Sequence, residues 1–208
     1  MRFYTVSQGS DLLPYDFFLV LEKPGSNDLV RSDQNMNYYR YLTQQATVSN
    51  PDALPVGFVK DSHKGTDYVG LTCAACHTAQ VNYKQVAIRI DGGPAMADLD
   101  GFLHQLARAV CETETAGAKH DQFVKKVRDL GHYSTDKKIN EELIKSCQAL
   151  TLYNSMNQSS IAYGNGRLDA FGRIYNRVSE YLLTEEELNE QVESLTDGLA
   201  QKDRKSVV

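Results

Sequence analysis

The stretch "YVGLTCAACHTAQVNY" runs from Tyr68 to Tyr83 and contains Cys73-Ala74-Ala75-Cys76-His77. In a C-x-x-C-H run, two thiols one helical turn apart can add to the two vinyl groups of a haem. The adjacent histidine is then carried to the iron as its proximal ligand. Small spacers such as Ala74 and Ala75 let the turn pack close to the macrocycle. The chain has four cysteines and five histidines in 208 residues, so about 0.002 chance matches to the pattern are expected. The motif therefore predicts a single covalently attached haem c. Its attachment residues are Cys73 and Cys76, and its proximal ligand is His77.

Two other chemistries use the same letters. A zinc site on Cys73, Cys76 and His77 needs a further ligand pair, and the sequence holds no second C-x-x-C. A thioredoxin-like redox pair expects a strand before the motif and a long helix after it. Here residues 81–90, "VNYKQVAIRI", alternate and are rich in β-branched residues. They predict a small hairpin turning near Lys84–Gln85 and closed by "DGGP" at Asp91–Pro94. A metal-stabilised or thiol-redox module without haem stays as the remaining alternative.

On the N-terminal side of the motif, residues 1–66 read as loop-rich, because Pro14, Pro24, Gly25, Pro51, Pro55 and Gly57 interrupt any long periodicity. Short helical pieces fit Asp11–Glu22 and Asp33–Gln45. On the C-terminal side the pattern turns helical. Asp98 is placed to cap a helix with Leu99, Phe102, Leu103, Leu106 and Val110 on one face. Further helices fit His120–Leu130 with Phe123, Val124 and Val127 inward, and Lys138–Tyr153 with Leu143, Ile144, Cys147 and Leu150 inward. Two more fit Leu168–Leu183 and, from the capping-box pair Thr184 and Glu187, a segment to about Leu199. The expected fold is mainly α: a cytochrome c-like helical haem domain over residues 1–183, with a loop-rich N-terminal part and one small β-hairpin. Residues 184–208 form a C-terminal helix and charged tail in this reading.

Composition narrows the function classes. With 41% hydrophobic and 24% charged residues the chain is globular rather than disordered. A net charge of -5 and the lack of a basic stripe interleaved with aromatics argue against a nucleic-acid partner. The longest apolar run, Phe17 to Leu21, is too short to span a bilayer. It is also too short for a signal-peptide core, and Asp16 precedes it where a basic region would belong. Haem c attachment nevertheless points to the periplasm.

The sixth position on the iron decides between electron transfer and catalysis. Met96, nineteen residues after His77, and Met156 stand equally as candidate sixth ligands, with His104 a weaker alternative. The segment "AYGNGRLDAFGRIYNRV", Ala162 to Val178, adds Arg167 and Arg173, whose guanidinium groups suit haem propionates. Asp169 pairing Arg173 on one helix face explains the same residues structurally. Gly164 and Gly166 permit a close backbone approach or a positive φ. Cys111 and Cys147 fall on inward helix faces, as buried thiols or as a disulfide.

Several stretches together resemble a family of bacterial c-type cytochromes, that of the di-haem cytochrome c peroxidases and rubber-oxygenase-like proteins. They are "LLPYDFFLVLE" (Leu12–Glu22), "RSDQNM" (Arg31–Met36), "LPVGFVKD" (Leu54–Asp61), the motif stretch, "IRIDGGPAMADLDGFL" (Ile88–Leu103) and "GNGRLDAFGRIYNRV" (Gly164–Val178). The resemblance implies an exported protein, predominantly helical around each haem, with a second C-x-x-C-H farther along a longer chain. This sequence has one such motif and no tryptophan, where the family tends to tryptophan-rich segments. The resemblance thus implies an N-terminal haem module of a larger protein, with a redox partner protein or a second haem domain. Only Cys73, Cys76 and His77 carry over with assigned roles. Electron transfer by a c-type cytochrome domain is the expected function. The alternative is the haem-bearing module of a di-haem peroxidase- or oxygenase-like oxidoreductase.

Overall fold

Two β-hairpins bracket the Cys73–His77 turn, and three long helices pack beside the first of them. The computed structural model describes residues 2–115 and 117–157, with 165–166, 178, 182–184 and 186–187. In chain order the elements are α1 (Arg2–Thr5), β1 (Leu13–Pro14), α2 (Tyr15–Val20), α3 (Asp33–Tyr38), β2 (Phe58–His63) and β3 (Thr66–Leu71). Then follow α4 (Cys73–His77), β4 (Thr78–Tyr83), β5 (Val86–Asp91), α5 (Leu99–Thr115), α6 (Gly117–Asp129) and α7 (Asp136–Met156).

This order corrects the expected mainly α, cytochrome c-like fold. The described residues form a mixed α/β structure with two antiparallel sheets, one of three strands in the order β1-β3-β2 and one of two, β4-β5. The β2–β3 hairpin is the missed element. It turns through Lys64 and Gly65, both at positive φ (50° and 81°), the conformation a two-residue type I′ hairpin requires. Phe58 pairs with Leu71 at one end and His63 with Thr66 at the other. The expected hairpin at 81–90 is present as β4–β5, longer at its open end by three residues in β4 and one in β5. It turns through Lys84 and Gln85 at φ 47° and 65°.

The helices follow the apolar periodicity. In α5, Phe102, Leu103, Leu106 and Val110 are buried, and Asp98 Oδ1 accepts the Gly101 N–H at 2.9 Å as the cap. Phe123, Val124 and Val127 are the buried residues of α6. On α7, Leu143 and Leu150 are buried but Ile144 is 43% exposed, so the inward face there is narrower than expected. A disulfide joins Cys111 of α5 to Cys147 of α7. The expected helix at 168–183 and the tail beyond lie largely outside the described residues. The capping box is visible: Thr184 N–H donates to Glu187 Oε2 at 2.8 Å, and Glu187 N–H donates to Thr184 Oγ1 at 3.3 Å.

Sheet and helices share one core through aromatic rings. Phe58, the first residue of β2, lies 5.8 Å from Phe102 of α5 and 4.8 Å from Tyr41, ring centre to ring centre, and it stacks on Phe18 at 6.2 Å. These rings are buried, and each contributes on the order of 2–3 kcal/mol by leaving water. Buried Asn35 ties α3 to α5 by exchanging amide hydrogen bonds with Gln105 (2.7 and 3.1 Å).

The CAACH turn as a candidate cofactor-attachment site

Leu71 ends β3 in the core, and Thr72 turns the chain. Its Oγ1 accepts the Ala74 N–H at 3.2 Å, which starts the single helical turn α4. On a helix, residues i, i+3 and i+4 share a side. Cys73, Cys76 and His77 therefore share one side of α4, and Ala74 and Ala75 take the other. Burial follows that division. Ala74 and Ala75 are 1% and 4% exposed, with Ala75 packed into the main core, whereas Cys73 and His77 are exposed and Cys76 is partly so.

Gly57 fixes the depth of the turn. It has φ +87°, and a Cβ placed there would fall 2.1 Å from Ala75 N. Its carbonyl accepts the Thr72 N–H at 2.8 Å. Only a glycine lets the strand entering β2 lie against the backbone of the motif. The sequence signal was "PVG" at 55–57, which reads simply as loop punctuation.

From the other side, the loop after β5 clasps the motif. Gly92 N–H donates to His77 O and Ala95 N–H to Cys76 O, both at 2.8 Å. Helix α1 packs on α4, and Tyr4 of α1 hydrogen-bonds Asp91 of β5. Gln8 Nε2 donates to Cys73 Sγ at 3.2 Å. Loss of water around the Tyr4 hydroxyl and its hydrogen bond to the Asp91 carboxylate hold the phenol above its ordinary pKa. Tyr4, Gln8 and Gly57 are site residues that motif reasoning missed. Tyr4 and Gln8 act through contacts 87 and 65 residues away in sequence, and Gly57 through Thr72 and Ala75 on the far side of the β2–β3 hairpin.

Met96 follows directly on the clasp and is 52% exposed. Gly166, at φ +71°, sits over the same loop: its N–H donates to Ala97 O at 3.0 Å, and a Cβ there would lie 3.1 Å from Met96 Sδ. The expected close approach of the "GNG" segment is thus made at Gly166. Arg167 and Arg173 lie outside the described residues. His104 is exposed, and Met156 is buried at the end of α7.

Neither Cys73 nor Cys76 is disulfide-bonded. Among the described residues, no group of three or more His, Cys, Asp or Glu side chains is arranged to hold a metal ion. Among them too, no helix is long and apolar enough to cross a membrane. A separate polar cleft of about 700 Å³ is lined by Asp16, Asp67, His132, Tyr133, Lys138 and Glu142 and includes no residue of the motif.

No family model matches the chain, and no solved structure matches it. It is similar to an uncharacterized protein of Sinorhizobium fredii (strain NBRC 101917 / NGR234), y4iJ. The identity is 30% over 193 residues, covering 80% of this chain and 31% of that protein. The chain therefore spans about a third of the length of that curated relative.

Proposed function

We propose that this chain carries one haem c on Cys73 and Cys76, with His77 as the proximal iron ligand, and that it serves electron transfer as a c-type cytochrome domain. One observation supports the reading: the α4 turn buries both spacer alanines and places Cys73, Cys76 and His77 on its other side, with Cys73 and His77 exposed and Cys76 half-buried against the core. That donor set fits the group. Each thiol S–H adds across one vinyl C=C, sulfur bonding one carbon and hydrogen its neighbour, so no oxidant is consumed but both thiols must be reduced. Neither cysteine of the motif is tied up in a disulfide.

When bound, haem supplies a one-electron iron centre whose potential follows its axial ligands, burial and hydrogen bonds. The chain's own residues supply the rest. Thr72 and Gly57 fix the turn, Gln8 donates to the Cys73 sulfur, and Gly92 and Ala95 hold the carbonyls of His77 and Cys76. Arg167 and Arg173 are the proposed propionate partners, and Met96 the proposed sixth ligand. The Cys111–Cys147 bridge supports an oxidising compartment such as the periplasm, where disulfides persist. A second reading, a haem-bearing module of a di-haem oxidoreductase, is favoured by the threefold greater length of the S. fredii relative, which leaves room for a second haem domain.

The test is co-expression of the chain, fused to an export signal, with haem-maturation machinery. Covalent pigment that survives denaturation supports the reading. His77→Ala should lose the native axial bond, and Cys73→Ala or Cys76→Ala one thioether each. A low-spin spectrum indifferent to added ligands favours electron transfer; a high-spin iron that binds cyanide favours the di-haem oxidoreductase reading. Colourless protein, with maturation controls working, rejects haem altogether.

A further inference from the structure

The β4–β5 ribbon leaves the core as it leaves the motif. Thr78 is buried, and from Gln80 to Asp91 every residue of both strands is exposed. Residues directly opposite in an antiparallel pair share a face. The register pairs Ala79 with Ile90, Val81 with Ile88 and Tyr83 with Val86. All six are apolar. The other face pairs Thr78 with Asp91, Gln80 with Arg89 and Asn82 with Ala87. The ribbon thus has a fully apolar face whose five larger side chains are 44–60% exposed. A two-stranded ribbon is marginal by itself in water, and a contiguous exposed apolar patch marks a binding surface.

We propose that this face is the wall on which the macrocycle of the tethered haem lies; the inference rests on the haem reading above. Three observations tie the face to the attachment site. It begins at Ala79, two residues after His77. Its base meets Gly93, where a Cβ would lie 3.5 Å from both the Ala79 Cβ and the Ile90 Cγ2. From Gly93 the same loop runs directly to Ala95, whose N–H binds the Cys76 carbonyl, and to exposed Met96. Attachment site, loop and apolar face are therefore continuous. A flat apolar ring held covalently at Cys73 and Cys76 meets that face at the high effective concentration of an intramolecular contact. A separate partner or a second copy has no such advantage.

The test uses the haem-loaded chain, with attachment verified by intact mass, in its ferrous form, which is low-spin and diamagnetic when Met96 holds the sixth position and is made so by carbon monoxide when that position is open. Methyl-labelled nuclear magnetic resonance then reads the porphyrin ring current. Methyls of Val81, Ile88 and Ile90 are expected to move upfield and to show cross-peaks to the porphyrin meso protons. The Ala87 methyl, on the opposite face, is expected to stay at its ordinary position. Haem of correct mass with unshifted Val81, Ile88 and Ile90 methyls, or with the shifts on Ala87, overturns the inference and leaves haem attachment standing. Concentration-dependent dimers that bury these methyls without a ring-current shift overturn it as well. Protein of unmodified mass overturns the haem reading itself. The paired variant Val81→Asp with Ile88→Asp should leave the haem-free circular dichroism unchanged, because the face is exposed there. In the loaded protein it should return the Ile90 methyl towards its ordinary position and abolish the induced Soret dichroism; an unmoved Ile90 methyl or unchanged Soret dichroism argues against the wall.

Discussion

Removing the α5–α7 bridge by Cys111→Ala with Cys147→Ala should destabilise the domain by a calculable amount. The bridge closes a loop of sequence separation 36. In the chain-entropy description, cross-linking a loop of about 36 residues stabilises the fold by about 4 kcal/mol at 25 °C, with about 2–4 kcal/mol common in practice. With a urea slope of about 2 kcal/mol per molar for a domain of this size, the transition midpoint should fall by about 1–2 M. The assay is urea unfolding under non-oxidising, non-reducing conditions, followed by circular dichroism at 222 nm, a wavelength set by helix absorption and so about the helices the bridge joins. Reductant added to the unsubstituted chain should bring its midpoint down to that of the variant. Thiol titration of the denatured haem-free chain should give two reactive thiols, Cys73 and Cys76, and the haem-loaded chain none. Four reactive thiols in carefully unreduced protein, or a midpoint shift under about 0.3 M with an unchanged slope, would refute the bridge and remove its support for an oxidising compartment.

Gly57→Ala forces a side chain into the left-handed region and onto Ala75; with the Thr72–Gly57 hydrogen bond lost, the cost is on the order of 3 kcal/mol, read as a lower melting temperature and a lower yield of attached haem. Burial holds the phenols of Tyr15 and Tyr133 well above the ordinary value near 10. The neighbouring Asp52 carboxylate adds to this for Tyr15, and the charges of Glu142 and Asp16 for Tyr133. Unfolded tyrosines then ionise first, so stability is intact below about pH 10 and declines above it by up to about 1.4 kcal/mol per pH unit for each ring; Tyr133→Phe should remove one ring's share of that alkaline slope in unfolding titrations, and an unchanged slope would contradict the assignment. Met96→Ala in the loaded protein should convert a low-spin ferric spectrum to high spin if the thioether holds the sixth position; an unaltered spectrum removes Met96 from the iron.

Local signals in the sequence were legible where a single element carried them. The apolar spacing of α6 matched its buried face, that of α5 matched at Phe102, Leu103, Leu106 and Val110 while Leu99 is only half-buried, and the β-branched alternation of 81–90 matched the β4–β5 ribbon. The β2–β3 hairpin was hidden for a physical reason. Its outer residues "KDSHKGTD" at 60–67 are polar on both faces, because only the Phe58–Leu71 end meets the core. Without a buried face there is little period-2 pattern to read, and the turn dipeptide Lys64-Gly65 is weaker than Asn-Gly. Ile144 failed in the opposite sense: α7 meets its neighbours along a narrow stripe, so an apolar residue beside that stripe stays in water. At the site the motif letters were sufficient for the turn. The residues that seat it, Tyr4, Gln8 and Gly57, are set by long-range contacts that no local window contains.

The correction from helical to mixed architecture bears on the haem reading in a particular way. Covalent attachment asks little of a fold: one turn, two reduced thiols, an open side and a buried back. Here the back is supplied by Gly57 at the head of a β-hairpin rather than by a helix pair, and the open side continues into a second hairpin. A helical cytochrome would enclose its haem with helix faces. In this chain α5, α6 and α7 turn their apolar faces toward one another and the shared core, where Phe102, Val127 and Leu143 are fully buried. Among the described residues, the ribbon face and Met96 are exposed apolar groups beside the motif. On the proposed placement the haem would use a surface that the core does not need, and the domain is expected to fold before attachment. Haem loading should accordingly raise stability only by what the ribbon face gains. Burying about half of five side chains of Val, Ile and Tyr type is worth on the order of 5 kcal/mol at most. The haem-free chain should already unfold cooperatively in urea. A haem-free chain without a cooperative transition would mean that the haem lies inside the α5–α7 core, and would refute a ribbon-bound placement.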